Sequence, residues 1–198
     1  MKSTSIPGGV LVLALFGLAM GTAIGTAQAK ECKGITFPEH LQVGGSDLTL
    51  NGLGMRKATF LKVNVYVGAL YVTHPSHDPQ PLIDPASPAE LILHFVRSVG
   101  VGDLRDAWKE GFEKVAKDQL PALEARIATL NSWMSGMETG QRLTFTRLPG
   151  AGIQVDVNGV VKGTIAGDDF ARALMTIWLG PNPPNSELKS GLLGGSCD

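Results

Sequence analysis

The stretch Asn51–Val72 combines a strand-forming apolar pattern with a single arginine. Its second half alternates, because successive side chains of a strand point to opposite faces. One face of this predicted strand carries Val63, Val65, Val67, Ala69 and Tyr71, and the other carries Asn64, Tyr66, Gly68 and Leu70. Before it, Leu48, Leu50 and Leu53 alternate with Gly52 and Gly54. That pattern predicts an irregular strand with a bulge or a close approach of other backbone.

Four more strands follow from the apolar pattern. Glu90–Ser98 is a mostly apolar run, and Arg142–Leu148, Ile153–Val157 and Val160–Ile165 are shorter ones. Between the last two lies Asn158-Gly159, which favours a type I′ hairpin turn because both central residues need positive φ. The proline-rich segments Pro75–Pro88 and Pro181–Pro184 predict loops.

Three helices are predicted from apolar residues at steps of three and four. The first opens at Gly100–Gly102 with Asp103 as its cap. The second starts at Pro121, and the third runs from Asp168 to Gly180, where Pro181 forbids continuation. Their apolar stripes are Leu104, Trp108, Phe112 and Val115; Leu123, Ile127, Leu130 and Met134; and Phe170, Leu174, Ile177 and Trp178.

This order of strands, a helical block, a hairpin and a final helix predicts an α+β fold. We expect an antiparallel β-sheet packed on one face by a layer of α-helices, an open-faced β-sandwich, with a ligand cavity between the layers. With 198 residues, 43% of them hydrophobic, the chain is large enough for one substantial core. No Pro/Ser-rich linker divides it, so residues 30–198 are predicted to form a single domain.

Arg56 and Tyr66 are the candidate ligand-binding pair. If Thr59–Lys62 turns the chain, the guanidinium and the phenol converge, and together they suit a carboxylate. Lys62 would be a second cation near the pocket. The pattern alone leaves an alternative for each residue. Arg56 would be solvated or salt-bridged, Tyr66 would pack on a neighbouring strand, and Lys62 would be a surface lysine at a bend.

The N-terminus has the features of a secretory signal. Lys2 precedes the apolar run Val10–Ala19, and Ala27-Gln28-Ala29 supplies small residues before a cut ahead of Lys30. Residues 1–29 are thus predicted to be a cleaved signal peptide, which would place the protein in the periplasm or outside the cell. A retained anchor is the alternative, but the apolar stretch is short and broken by glycine. No other segment is predicted to span a bilayer.

Export makes the two cysteines relevant. Cys32 and Cys197 lie near the two ends of the mature chain, and an oxidising compartment permits either a bridge between them or two free thiols.

The formal net charge of −1 comes without a basic stripe, so nucleic acid is not an expected partner. The sequence contains no motif for a metal, a cofactor or a common hydrolytic site.

The run GLGMRKATFLKVNVYVGALYV resembles the chalcone isomerase-like superfamily. That family pattern has a Gly-rich lead-in, an arginine, a Lys-containing bend and a strand that ends in an aliphatic-Tyr-aliphatic element, here Leu70-Tyr71-Val72. The C-terminal part looks like the ending of the bacterial branch. It consists of Trp178-Leu179-Gly180, then Pro183 or Pro184, Leu188-Lys189 and Leu192-Leu193-Gly194.

This resemblance implies the chalcone isomerase fold and a choice of functions. Plant isomerases close a flavanone ring, whereas plastid members bind fatty acids without catalysis. Arg56 falls at the arginine shared by both groups, and Tyr66 matches the carboxylate-binding tyrosine of the fatty-acid binders. The resemblance also places ligand-lining residues of the isomerases on the last helix, so Trp178 is expected to line the pocket as well. The tyrosine and asparagine that isomerases also use would fall at about Leu104 and Gly111, which argues against chalcone cyclisation.

Three functions follow as alternatives. The preferred one is non-catalytic binding of a fatty acid or similar amphiphilic carboxylate by Arg56 and Tyr66. The second is an isomerase or intramolecular lyase in which Arg56 would stabilise a developing anion and Tyr66 would act as an acid. The third is a structural envelope protein without a ligand. No cofactor is predicted, and the oligomeric state is left open.

Overall fold

A computed structural model of the protein describes residues 1–2, 28–58 and 61–197. Its main feature is a seven-stranded antiparallel sheet in the order β3-β4-β5-β6-β7-β8-β9, and β1 and β2 form a separate hairpin. Because the strands pair in chain order, each joins its neighbour through a short or helical connection. The strands are β1 (Ala29–Cys32), β2 (Ile35–Pro38), β3 (His40–Val43), β4 (Ser46–Ala58), β5 (Val63–Val72), β6 (Ala89–Phe95), β7 (Arg142–Leu148), β8 (Gly152–Val157) and β9 (Val160–Ile165).

Within the described residues, five helices accompany the sheet. They are α1 (Pro79–Ile83), α2 (Val101–Val115), α3 (Leu120–Trp133), α4 (Asp168–Leu179) and α5 (Ser186–Leu192), with a 3₁₀ turn at Lys117–Gln119 before α3. The cap of α2 differs from the prediction: Gly100 is the N-cap, and Asp103 lies in the first turn without a side-chain cap bond. Its charge there still favours the helix N-terminus electrostatically.

The two faces of the sheet bury different sets of side chains. The helix-covered face packs Leu70, Leu93 and Phe95 against apolar residues of α2, α3 and α4. The opposite face buries Met55, Val67, Ala69 and Tyr71 with Phe37 of the β1–β2 hairpin. The predicted α+β architecture is therefore correct, and the hairpin covers part of the second face.

Two short helices differ from the sequence-based expectation: α1 lies inside the predicted loop Pro75–Pro88, and α5 follows the predicted loop Pro181–Pro184, where the pattern indicated no element. Helix α5 packs on β4 and β5, where glycines allow its backbone to approach closely. A Cβ atom on Gly52 would lie 2.1 Å from the carbonyl oxygen of Gly191, and one on Gly54 would lie 2.3 Å from that of Leu188. The glycines of β4 thus allow the backbone of α5 to pack directly on this strand.

A disulfide joins Cys32 to Cys197 across a sequence separation of 165 residues. It connects the end of β1 to the segment that follows α5.

Of the predicted signal peptide, residues 3–27 lie outside the described part of the chain. Within the described part, no helix is long and apolar enough to cross a membrane.

Candidate ligand-binding site

A cavity of about 480 Å³ lies between the sheet and helices α2 and α4. Its walls come from the ends of β4, β5 and β6, from one side of α2, from the end of α4 and from the loop after it. The lining residues are Arg56, Ala58, Val65, Tyr66, Leu93, Phe95, Arg97, Ser98, Val99, Asp103, Leu104, Ala107, Trp108, Glu110, Gly111, Lys114, Ile177, Trp178, Asn182 and Pro184.

Arg56 and Tyr66 are directly opposite each other on adjacent strands. The register of β4 and β5 pairs these two residues, and Phe95 of β6 is the next partner of Tyr66. Cross-strand partners share a face, so all three side chains lie on the helix-covered side. The turn that brings the strands back includes Lys62 at positive φ, while Thr59 and Phe60 lie outside the described residues. Alternation and a turn therefore do bring the arginine and the phenol together.

The hydroxyl of Tyr66 has a defined hydrogen-bonding role. Trp178 Nε1 donates to Tyr66 Oη at 2.9 Å, and both side chains are buried. Burial raises the pKa of Tyr66 to about 12, against the smaller lowering effects of the Trp178 hydrogen bond and of the Arg56 charge. The phenol is thus protonated at neutral pH. Within the described residues it accepts from Trp178 and its O–H group donates to no other protein group, so this O–H is available as a donor.

A neighbouring asparagine holds the backbone around Arg56. A register shift separates Arg56 from Lys57, and Arg56 Nη1 donates to the Lys57 carbonyl oxygen. Asn185 Nδ2 donates to the Met55 carbonyl oxygen at 3.2 Å, and the Lys57 amide donates to Asn185 Oδ1 at 3.3 Å. Asn185 therefore fixes both peptide groups that flank the arginine, from the residue just before α5.

Asn185 was not identified from the sequence. Its partners are about 130 positions away, and no local pattern marks an asparagine that bonds a distant strand. The one local signal is its place before a short apolar helix, where asparagine is common as a cap. Here the side chain makes no cap bond and holds β4 instead.

Lys62 is not among the residues that line the cavity. It is exposed, and its Nζ atom lies 4.0 Å from a carboxylate oxygen of Glu187. The other cations in the cavity lining are Arg97 and Lys114, accompanied by the acids Asp103 and Glu110. A hydrogen bond from Lys114 at 2.6 Å lowers the pKa of Glu110, and the charge of Arg56 adds a smaller effect.

The interior wall of the cavity is aromatic and aliphatic. Trp178 lines it, and Trp108 lies next to Trp178 with ring centroids 5.8 Å apart. Both indoles also contact Phe145, so they belong to the core and to the cavity wall at once. Leu104 and Gly111 line the cavity too, and neither supplies a polar side chain.

Comparison with known proteins agrees with this architecture. Residues 29–194 match the family described as chalcone isomerase-like. Among solved structures, a fatty-acid binding protein of Arabidopsis thaliana matches with a TM-score of 0.67 and 17% sequence identity, over 84% of this chain and 96% of that one. A search of curated proteins found no match. Since the family match extends over most of the sequence, this chain belongs to the chalcone isomerase-like family.

Proposed function

We propose that the protein binds a fatty acid or a similar amphiphilic carboxylate without catalysis. The carboxylate lies at Arg56 and Tyr66, and the apolar tail lies between the sheet and helices α2 and α4. We further propose that the protein belongs to the secreted bacterial branch of its family and acts in the periplasm after residues 1–29 are removed. The bridge between Cys32 and Cys197 fits an oxidising compartment.

The observation that carries the proposal is the hydrogen bond from Trp178 to Tyr66. It fixes the position of the phenol at the cavity, and no other group in the described residues accepts from its O–H, which can therefore donate to a ligand. Arg56 stands opposite Tyr66 on the neighbouring strand and supplies a positive charge. A donor and a cation side by side match the needs of a carboxylate.

Size and lining also favour an amphiphile. A volume of about 480 Å³ is within the range of about 300 to 1,000 Å³ that is usual for small-molecule sites. The apolar part of the wall is formed by Leu93, Phe95, Leu104, Trp108 and Ile177. The fatty-acid binding protein of Arabidopsis thaliana shares the fold at low identity, which adds support for a lipid ligand.

The non-catalytic assignment follows from the α2 side of the cavity. Leu104 and Gly111 stand where the family resemblance would require polar groups of an isomerase, and both line the cavity without any. A ring closure would need a further group to orient the substrate. Arg56 and Tyr66 are sufficient for binding a carboxylate, so binding alone is the better proposal.

The test compares mature Lys30–Asp198 with its Arg56→Ala variant. Both are purified without detergent and titrated with hexadecanoate, and native mass spectrometry of the untreated samples identifies any lipid already bound. We expect Arg56→Ala to weaken hexadecanoate binding by about tenfold or more, because hydrogen bonds to charged groups are the strong ones. Hexadecanol should bind both proteins equally.

Arg172→Ala is the matched control, since this arginine is exposed and pairs with Asp84 at 3.6 Å, away from the cavity. It should bind hexadecanoate like the wild type. Unchanged hexadecanoate binding in Arg56→Ala would refute the assigned carboxylate site. Absence of binding by any of the proteins would favour the structural role, and turnover of a chalcone above its spontaneous rate would favour the isomerase.

A further inference from the structure

A second pocket lies on the opposite face of the sheet. It has a volume of about 370 Å³ and forms where β3 approaches β6, β7 and β8. It shares no lining residue with the first cavity. The residues that line it are Leu41, Gln42, Val43, Gly44, Glu90, Thr146, Leu148 and Gln154.

The floor of this pocket is a polar row across three strands. Glu90 of β6 pairs with Thr146 of β7, which pairs in turn with Gln154 of β8. Paired residues of an antiparallel sheet share a face, so the three side chains stand side by side. Thr146 Oγ1 donates to Glu90 Oε2 at 2.8 Å, which holds the carboxylate in place.

Glu90 lacks a positive partner. Within the part of the chain that the structure describes, no lysine, arginine or histidine lies within 4.0 Å of its carboxylate. Burial raises the pKa of Glu90, the hydrogen bond from Thr146 lowers it, and the charge of Asp156 raises it further. A partly buried carboxylate without a cation is costly, and an external cation would remove that cost.

The walls above the carboxylate are apolar. Leu41 and Val43 come from β3, and Leu148 comes from the end of β7. Polar atoms at the floor and apolar walls together fit a molecule that has a charged end and a hydrocarbon body. A bare metal ion fits less well, because no group of three or more His, Cys, Asp or Glu side chains gathers anywhere in the described residues.

We propose that this pocket is a second ligand site, which takes a primary ammonium group carried on a short apolar body. The ammonium donates to the free oxygen of Glu90 and to the amide oxygen of Gln154, and the carbon chain lies against Leu41, Val43 and Leu148. This site is independent of the carboxylate site, since the two pockets are on opposite faces of the sheet.

The experiment titrates mature Lys30–Asp198 with hexylammonium and with hexanol by calorimetry, in parallel with the Glu90→Gln variant. Hexylammonium should bind the wild type, and Glu90→Gln should weaken it by about tenfold, as expected for loss of a charge-assisted hydrogen bond. Hexanol, which has the same carbon chain and no charge, should bind both proteins equally weakly. Glu124→Gln is the matched control and should bind hexylammonium like the wild type, because Glu124 is an exposed glutamate of α3 that does not line the pocket.

Equal binding of hexylammonium and hexanol to the wild type, or equal hexylammonium binding by wild type and Glu90→Gln, would overturn the proposal. If Glu90→Gln does not fold, Leu41→Lys replaces it: a tethered ammonium at this wall should abolish hexylammonium binding, while Leu41→Met should not. Arg56→Ala should leave hexylammonium binding intact. That result separates this proposal from the fate of the carboxylate site.

Discussion

At the scale of single residues, the chemistry of the cavity depends on which partner each polar group already has. Tyr66 accepts a hydrogen bond from Trp178, and in the described residues its own O–H group donates to no other protein group. Arg56 is held in place because Asn185 bonds the peptide groups before and after it. The roles of the two predicted ligand-binding residues are therefore set by residues on the C-terminal side of the chain.

The two tyrosines of the sequence should titrate abnormally. Burial raises the pKa of Tyr66 to about 12 and raises that of Tyr71 as well, with Glu90 adding to the effect on Tyr71. Absorbance of the folded protein should show no phenolate step near pH 10, and the urea-unfolded protein should show both. Because the folded pKa of Tyr66 is the higher one, its contribution to stability is complete below about pH 10 and is lost between about pH 10 and 12.

Two variants isolate the Tyr66 signal. Tyr71→Phe leaves Tyr66 as the single tyrosine. Adding Trp178→Phe removes the hydrogen bond that lowers the pKa of Tyr66, so the absorbance step of the Tyr66 phenolate should move to still higher pH. A step near pH 10 in folded Tyr71→Phe would show that Tyr66 is not buried as described.

Sequence reasoning was successful for residues whose signal is local. The pairing of Arg56 with Tyr66 follows from alternation and one turn, and Asn158 and Gly159 have the positive φ angles that their hairpin signal predicts. Asn185 could not be found in this way, because its function depends on contacts made after the chain has folded. Lys62 shows the converse: its position near Arg56 in sequence does not place it in the cavity.

At the scale of elements, α5 shows why a short helix is hard to predict. Its seven residues include a glycine and follow a proline-rich stretch, so local propensity is weak. The helix is stabilised by tertiary packing on the glycines of β4 and on Gly68 of β5. Those glycines were correctly interpreted as points of close approach, but the partner could not be named.

The close packing of α5 on β4 can be tested with two glycine substitutions that should change the free energy of unfolding in opposite directions. Gly54→Ala would place a Cβ atom 2.3 Å from the Leu188 carbonyl oxygen, and we expect a loss of about 1 to 3 kcal/mol in the free energy of unfolding. Gly102→Ala in α2 meets no atom within 4 Å and should raise stability by about 0.5 to 1 kcal/mol. Urea unfolding of both variants measures the difference. Equal stability of Gly54→Ala and wild type would mean that α5 does not lie this close to β4.

At the scale of the whole molecule, the disulfide closes nearly the entire described chain into one covalent loop. In the chain-entropy model, a loop of this length stabilises the fold by about 5 kcal/mol. Reduction, or replacement of both cysteines by serine, should therefore lower the melting temperature by about 10 to 20 °C. Calorimetry with and without reductant checks this. The double serine variant is the control, because it should melt at one temperature in both buffers.

The same bridge brings the beginning and the end of the fold side by side, with the Cα atoms of Cys32 and Cys197 5.8 Å apart. A few linking residues can therefore join the two ends directly. The chain can then be opened elsewhere, and the exposed turn between β8 and β9 is a suitable place. A cut between Asn158 and Gly159 keeps the bond from the Asn158 amide to the Arg142 carbonyl oxygen. Such a circular permutant would start at β9 and end at β8, with both pockets built from the same strands in a new order along the chain.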